Sequence, residues 1–345
     1  MSSEIKTAPE TAAATRPLTA VVTVYTAAIF LSAALLFAVQ PMFTKIVLPR
    51  FGGSPSVWAV AMVFFQGVLL LGYAYADALT RFAGRRLALP IHLGVMMIGA
   101  MFLPLAIAEG WGMPTPGREE MFLLGLFSVS IGFPFFALSA NGPLLQAWFA
   151  RSGHPDALNP YFLYAASNIG SLLALFAYPV IAEPLSTLSF QLEIWSWGYY
   201  LLILLIAVCG AFVFARNVRQ ELRAATTEAP PTLRKMTYWV GLAFVPSALM
   251  IAVTTHITTD VAAAPFLWVL PLSLYLITFI LAFDHPRWYL RPLFLALLPV
   301  LLPAMAYYIP SLDLRVAAPL YLVGMFVAIS PAKMPPSTPP SERQK

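Results

Sequence analysis

Cysteine is all but missing from this chain: Cys209 stands alone, inside an apolar run. A single thiol closes no internal disulfide and builds no cysteine-ligated metal centre. The four histidines are scattered, so neither a clustered metal site nor a Ser-His-Asp order within a globular segment can be traced. Gly110-Trp111-Gly112, followed by Gly117, has no strand pattern before it. It does not qualify as a dinucleotide-binding turn, which needs a strand–turn–helix context. The reading is therefore no cofactor, no metal and no catalytic set. The opening stretch MSSEIKTAPETAAATRP has no apolar core and no cleavage pattern, so a removable signal peptide is not expected. Charge is the scarcest property of all. Only 10% of the 345 residues are charged, where a soluble domain carries about a quarter. A surface that avoids charge this strongly faces lipid.

Apolar residues make up 60% of the chain. A helix needs about 20 consecutive apolar residues to cross the hydrocarbon core. Ten runs approach that length: Leu18–Val39, Val57–Leu79, Leu87–Ala108, Met121–Phe149, Tyr161–Ile181, Ser196–Ala215, Tyr238–Thr255, Ala264–Phe283, Leu290–Ile309 and Val316–Ile329. The expected class is an all-α integral membrane protein of about ten transmembrane helices, within a range of nine to eleven. The net charge of +5 would point toward nucleic acid on a soluble domain. Here the bases lie between apolar runs and set orientation, and the expected partner is the lipid bilayer. With the N-terminus inside, the inner segments hold sixteen Lys and Arg residues. The outer ones hold four, Lys45, Arg50, Arg118 and Arg315. That excess places both termini in the cytoplasm.

The longest basic connection, Arg216–Lys235, falls after the sixth run. It divides the chain into a disordered tail (1–17), a first six-helix bundle (18–215), a cytoplasmic basic linker (216–237), a second bundle of about four helices (238–330) and a disordered proline-rich tail (331–345). Six spans followed by a cytoplasmic linker and more spans is the layout of a major-facilitator-like bundle. GYAYADALTRFAGRR, after the second run, loosely resembles the inner-loop signature of that superfamily through Gly72, Asp77, Gly84, Arg85 and Arg86.

A few polar groups sit at membrane depth. In YFLYAASNIGSLLALFAYP, Tyr161, Tyr164, Asn168, Ser171 and Leu175 share one helical face. Ala166, Gly170 and Ala174 form a ridge of small residues suited to close helix packing. Asn168 then either bonds a neighbouring helix or, with Tyr164, lines a polar cavity. Gln66 lies at similar depth in the second run and faces the same choice. The fourth run carries Pro134 and then Asn141-Gly142-Pro143. It is expected to kink, to break with backbone groups freed for a ligand, or to end early. Gln66, Asn141, Tyr164 and Asn168 are the candidate lining of a polar cavity. In VQPMFTKIVLPRFGGSPSVW, Gln40-Pro41 is expected to end the first span, and MFTKIVL to lie in the interface. Lys45 and Arg50 are alternatively an anion-attracting pair. His256 and Asp260, four residues apart at the outer edge, are either a proton- or cation-binding pair or solvated loop residues.

Four stretches carry a resemblance: FLSAALLFAVQPMFTKIVLPRFGGSPSVW, PFFALSANGPLLQAWFARSGHP, NPYFLYAASNIGSLLALFAYPVIAEP and TTHITTDVAAAPFLWVLPLSLYLITFILAF. Together, from about Tyr25 to Phe283, they resemble the membrane region of bacterial fused major-facilitator/spermidine-synthase proteins. The resemblance implies a bacterial inner-membrane location and a module that anchors a synthase-like cytoplasmic partner or moves a small polar or cationic metabolite such as a polyamine. Members of that family add a Rossmann-type aminopropyltransferase domain. This chain passes instead into PAKMPPSTPPSERQK, with no glycine-rich cofactor turn, so aminopropyl transfer is not expected of it. A split system and a truncated or frameshifted member are both open. The rival expectation is a proton- or ion-coupled transporter unrelated to polyamines.

Overall fold

The structure is a computed structural model. It describes residues 10–51, 55–112, 114, 117–152, 154–158, 160–215, 232–257, 269–284, 291–310 and 313–329. Among these residues all regular structure is helical. Five helical spans are long and apolar enough to cross a membrane: Thr19–Val47, Ala59–Phe82, Phe162–Leu185, Leu188–Phe212 and Leu233–Thr255. A sixth is a bent pair, Glu119–Ser130 with Gly132–Ala150, if the two count as one span. Shorter apolar helices cover Leu87–Ala100, Val269–Thr278, Pro292–Tyr307 and Arg315–Ile329. The expectation of an all-helical chain with several membrane-length apolar helices is borne out. The chain divides into two compact units, Met1–Gln220 and Glu221–Lys345.

In the first unit, α1 runs from Glu10 to Phe51, well beyond the run that was expected. Its start lies within the segment expected to be disordered; ETAAATR is rich in alanine, the best helix former. Its end corrects the reading of the first outer loop. Gln40-Pro41 does not end the helix, and MFTKIVL is not an interfacial turn. Met42, Phe43, Thr44 and Val47 are buried in the core. Gln40 Nε2 donates to the Leu36 carbonyl at 3.2 Å, and Thr44 Oγ1 donates to the Gln40 carbonyl at 2.7 Å. Proline removes one ladder bond; the packing of the following turn outweighs it.

Helix α2 (Pro55–Phe82) leads through Ala83 into α3 (Gly84–Ala100), and Gly84 takes φ +63°. The loose loop signature is therefore not a loop at its front. Gly72 and Asp77 are both helical, and Asp77 pairs with Arg81 one turn on, at 2.8 Å. α3 stops eight residues before the expected Ala108. Residues 101–112 form turns and irregular chain that hold Pro104, which cannot donate to a helix ladder.

Helices α4 (Glu119–Ser130) and α5 (Gly132–Ala150) meet at a bend of 71°. The break falls at Ile131, not at Asn141-Gly142-Pro143, which stays helical inside α5. Pro134 is the third residue of α5. In a first helical turn a missing N–H costs nothing, because that donor has no intrahelical partner. The bend is held from outside the pair: the Ala108 N–H donates to Ser130 Oγ at 3.0 Å.

α6 (Tyr161–Ala177) continues through a π-helical turn, Tyr178–Ala182, into the short α7 (Glu183–Leu185). Ser186 is extended, and α8 (Leu188–Ala215) begins at once. Gln191 Nε2 turns back to the carbonyls of Ala182 (3.0 Å) and Ser186 (3.2 Å). It thereby adds to the Ala182 carbonyl, which also accepts from the Ser186 N–H at 3.1 Å, and caps the Ser186 carbonyl at the helix end.

The core of this unit joins α1 to its neighbours. A Cβ placed on Gly170 would lie 2.5 Å from the Phe30 carbonyl oxygen, so α6 approaches α1 as closely as the small-residue ridge predicted. Tyr25 Oη donates to the Cys209 carbonyl at 3.0 Å. Trp195 Nε1 donates to the Leu35 carbonyl at 2.9 Å. Both bonds tie α8 to α1 at different depths.

The second unit holds α9 (Leu233–Thr255), α10 (Val269–Asp284), α11 (Arg291–Tyr307) and α12 (Leu314–Ile329). α9 starts inside the expected linker, with Thr232 as its N-cap accepting from the Lys235 N–H. Val253, Ile257, Met305, Ala317, Tyr321, Met325 and Ile329 form its core. Residues 216–231 of the linker and the tail from 330 lie outside the described residues.

Candidate functional site

The polar centre of the first unit begins with a residue the sequence reading passed over. His92 lies in α3 within LALPIHLGV and is fully buried, with 0% exposure. α3 packs it against α5, where Asn141 is equally buried. His92 Nε2 and Asn141 Oδ1 are 2.7 Å apart. An amide oxygen only accepts, so His92 Nε2 carries the proton and donates. The amide nitrogen of Asn141 points to the Met96 sulfur at 3.9 Å, a soft acceptor that suits the same orientation. Tyr199 Oη of α8 donates to the Met96 carbonyl at 3.1 Å. Three helices thus converge on one hydrogen-bonded chain.

Rings enclose it. Tyr75 of α2 lies 6.0 Å from His92, centre to centre, and 5.3 Å from Phe136. Trp148 presents an edge to His92 at 6.2 Å. α2 reaches α5 closely because Gly72 has no side chain: a Cβ there would meet Ser139 Oγ and lie 3.1 Å from the Ala140 nitrogen. Ser139 Oγ turns into its own helix and donates to the Phe136 carbonyl at 2.7 Å.

The other candidates are placed elsewhere. Gln66 is exposed on α2, on the face that carries Met62 and Leu70. Tyr164 is 38% exposed, and Asn168 is half-buried on α6 beside the face that packs on α1. Asn141 takes its hydrogen bonds from α3 residues, so the expected grouping of four reduces to Asn141 joined to His92. Lys45 is already matched within the chain: its ammonium meets Glu183 at 2.8 Å, joining α1 to α7. In the second unit His256 packs edge-on against Tyr321 at 4.7 Å, and Tyr321 Oη donates to the Met305 carbonyl at 2.8 Å. Asp260, its proposed partner, lies outside the described residues.

Two absences define the chemistry. Among the described residues no Asp or Glu side chain is buried. Nor do three or more His, Cys, Asp or Glu residues gather as a metal site. No protein-family model matches the chain. No curated relative matches it either.

His92 was legible as a signal. An ionisable residue inside an apolar helix is a functional-site hypothesis by default, since placing it there is costly.

Proposed function

We propose that the chain is a multi-pass membrane module of the synthase-linked type it resembles. It crosses the bacterial inner membrane ten times in a major-facilitator-like arrangement, with both termini in the cytoplasm. It handles a small polar metabolite through the first unit and presents its cytoplasmic side to a synthase-like partner. The observation that carries the solute reading is the fully buried His92–Asn141 pair, whose polar atoms lie 2.7 Å apart. A polar pair at membrane depth is retained where something polar must be met.

The same site discriminates among solutes. A polyamine brings several positive charges, and these need anionic partners when desolvated. The interior holds an amide, an imidazole and hydroxyls, with no buried carboxylate among the described residues. A neutral polar solute fits that set better than a polycation. Proton coupling is the second reading, favoured by the same buried imidazole.

The test is flux in proteoliposomes. Labelled putrescine, spermidine and neutral polyols are supplied with and without a pH gradient, to wild type and to His92→Gln. The expected outcome is movement of a neutral solute that His92→Gln reduces at least tenfold. Flux of every solute equal to that of protein-free vesicles would remove the transport reading. Failure of a tagged chain, purified in mild detergent, to retain a purified synthase-like protein would remove the anchoring one.

A further inference from the structure

Two buried polar atoms at the polar centre have no hydrogen-bond partner among the described residues: His92 Nδ1 and Tyr75 Oη. They belong to neighbouring rings 6.0 Å apart with planes inclined by 32°. Their chemistry is complementary but not mutual. Nε2 of His92 spends its proton on Asn141, so in the neutral ring Nδ1 is a bare lone pair that only accepts. The Tyr75 hydroxyl has a proton to give and lone pairs to offer. Leaving a buried polar atom unmet costs on the order of 1–3 kcal/mol.

We infer that Tyr75 and His92 form a binding site for a single hydroxyl group. The bound hydroxyl donates to His92 Nδ1 and accepts from Tyr75 Oη. That is the smallest group able to meet both atoms at once, and either water or an alcohol group of a solute supplies it. An ammonium group could donate to both lone pairs, but its charge would meet no buried carboxylate among the described residues, so a neutral hydroxyl fits better. Asn141 then has a positioning role: it holds His92 in the Nε2-protonated tautomer and so keeps Nδ1 free for the ligand. Phe136 packs against the Tyr75 ring and Trp148 against the imidazole, which confines both rings. This inference deepens the solute reading above by naming the atoms and the ligand class, and it is tested without any flux.

The experiment is nitrogen NMR of the full chain in lipid bilayers with 15N-labelled histidine. There are four histidines, so His92 is assigned by the signal lost in His92→Gln. In wild type the His92 Nδ1 resonance should sit at the position of an unprotonated, hydrogen-bonded nitrogen. In Tyr75→Phe it should move toward that of a bare acceptor. Adding glycerol distinguishes the sources. A shift identifies a solute alcohol, and no shift identifies water; the site stands in both cases. A bare Nδ1 in wild type overturns the inference. So does a protonated Nδ1, or a hydrogen-bonded Nδ1 that Tyr75→Phe leaves in place. Because the wild-type spectrum alone decides the first two outcomes, a variant that fails to fold does not rescue the idea. Absence of flux in vesicles would leave this spectrum, and the site, untouched.

Discussion

Two asparagines separate a structural amide from a peripheral one. Asn141 is fully buried and accepts from His92, whereas Asn168 is half-buried and has no hydrogen-bond partner among the described residues. Replacing Asn141 with Ala strands the His92 N–H in an apolar interior, at a cost of about 1–3 kcal/mol. Asn168→Ala should stay within about 0.5 kcal/mol. Unfolding in mixed detergent and SDS measures both, and equal losses would mean that the His92–Asn141 bond does not hold the bundle. Lys45 and Glu183 offer a second contrast. They are close, at 2.8 Å, but their side chains are 40% and 29% exposed. A double-mutant cycle with Lys45→Met and Glu183→Gln should return a coupling of only about 0.2–1 kcal/mol, shrinking as salt is added. A coupling of several kcal/mol would place the pair in a far drier setting than its exposure indicates. Of the polar residues, Asn141 was legible as a candidate cavity residue within an expected helix break. Its partner was not, because the 3.6-residue period says which face a residue shares within its own helix and nothing about which helix lies opposite.

The helices fared differently from their ends. The apolar runs are carried by composition, and each contains helix, although the third loses it at Ala100 and the fourth holds two, α4 and α5. Their limits are set by packing. α1 passes through Pro41 because the turn beyond it is buried, and α4 and α5 part at Ile131 although Asn141-Gly142-Pro143 reads as the stronger break. The ridge on α6 was readable because small residues four apart have one physical use in a bilayer, close backbone approach. It yields a sharp prediction. Gly170→Ala drives a methyl against the Phe30 backbone, which cannot swing aside, and should destabilise by about 1–3 kcal/mol. Gly67→Ala in α2 meets nothing within 4 Å and should be neutral, or stabilising by up to about 1 kcal/mol from helix propensity. The two glycines are indistinguishable by hydropathy, so the difference in their unfolding midpoints tests the α1–α6 contact directly. If both variants behaved alike, that contact would be misplaced.

The chain as a whole is two helical units, Met1–Gln220 and Glu221–Lys345, and the boundary falls in its most basic connection. Lys and Arg resist translocation, so that connection should remain in the cytosol. Reporter fusions after Arg223 check it: a fluorescent protein fused there should glow and alkaline phosphatase should be inactive. The reverse pattern would invert the orientation proposed for every helix. Hydropathy and charge act on each segment independently of its neighbours. That is why the sequence by itself determined the all-helical class, the membrane-length apolar helices and the place of the basic connection. Which polar atoms meet is a property of pairs. Joining His92 to Asn141, leaving Gln66 on an outer face and matching Lys45 with Glu183 required helices far apart in the chain to be brought together. Only the tertiary structure decided those pairings, because in a uniformly apolar solvent no single segment carries a preference for its partner.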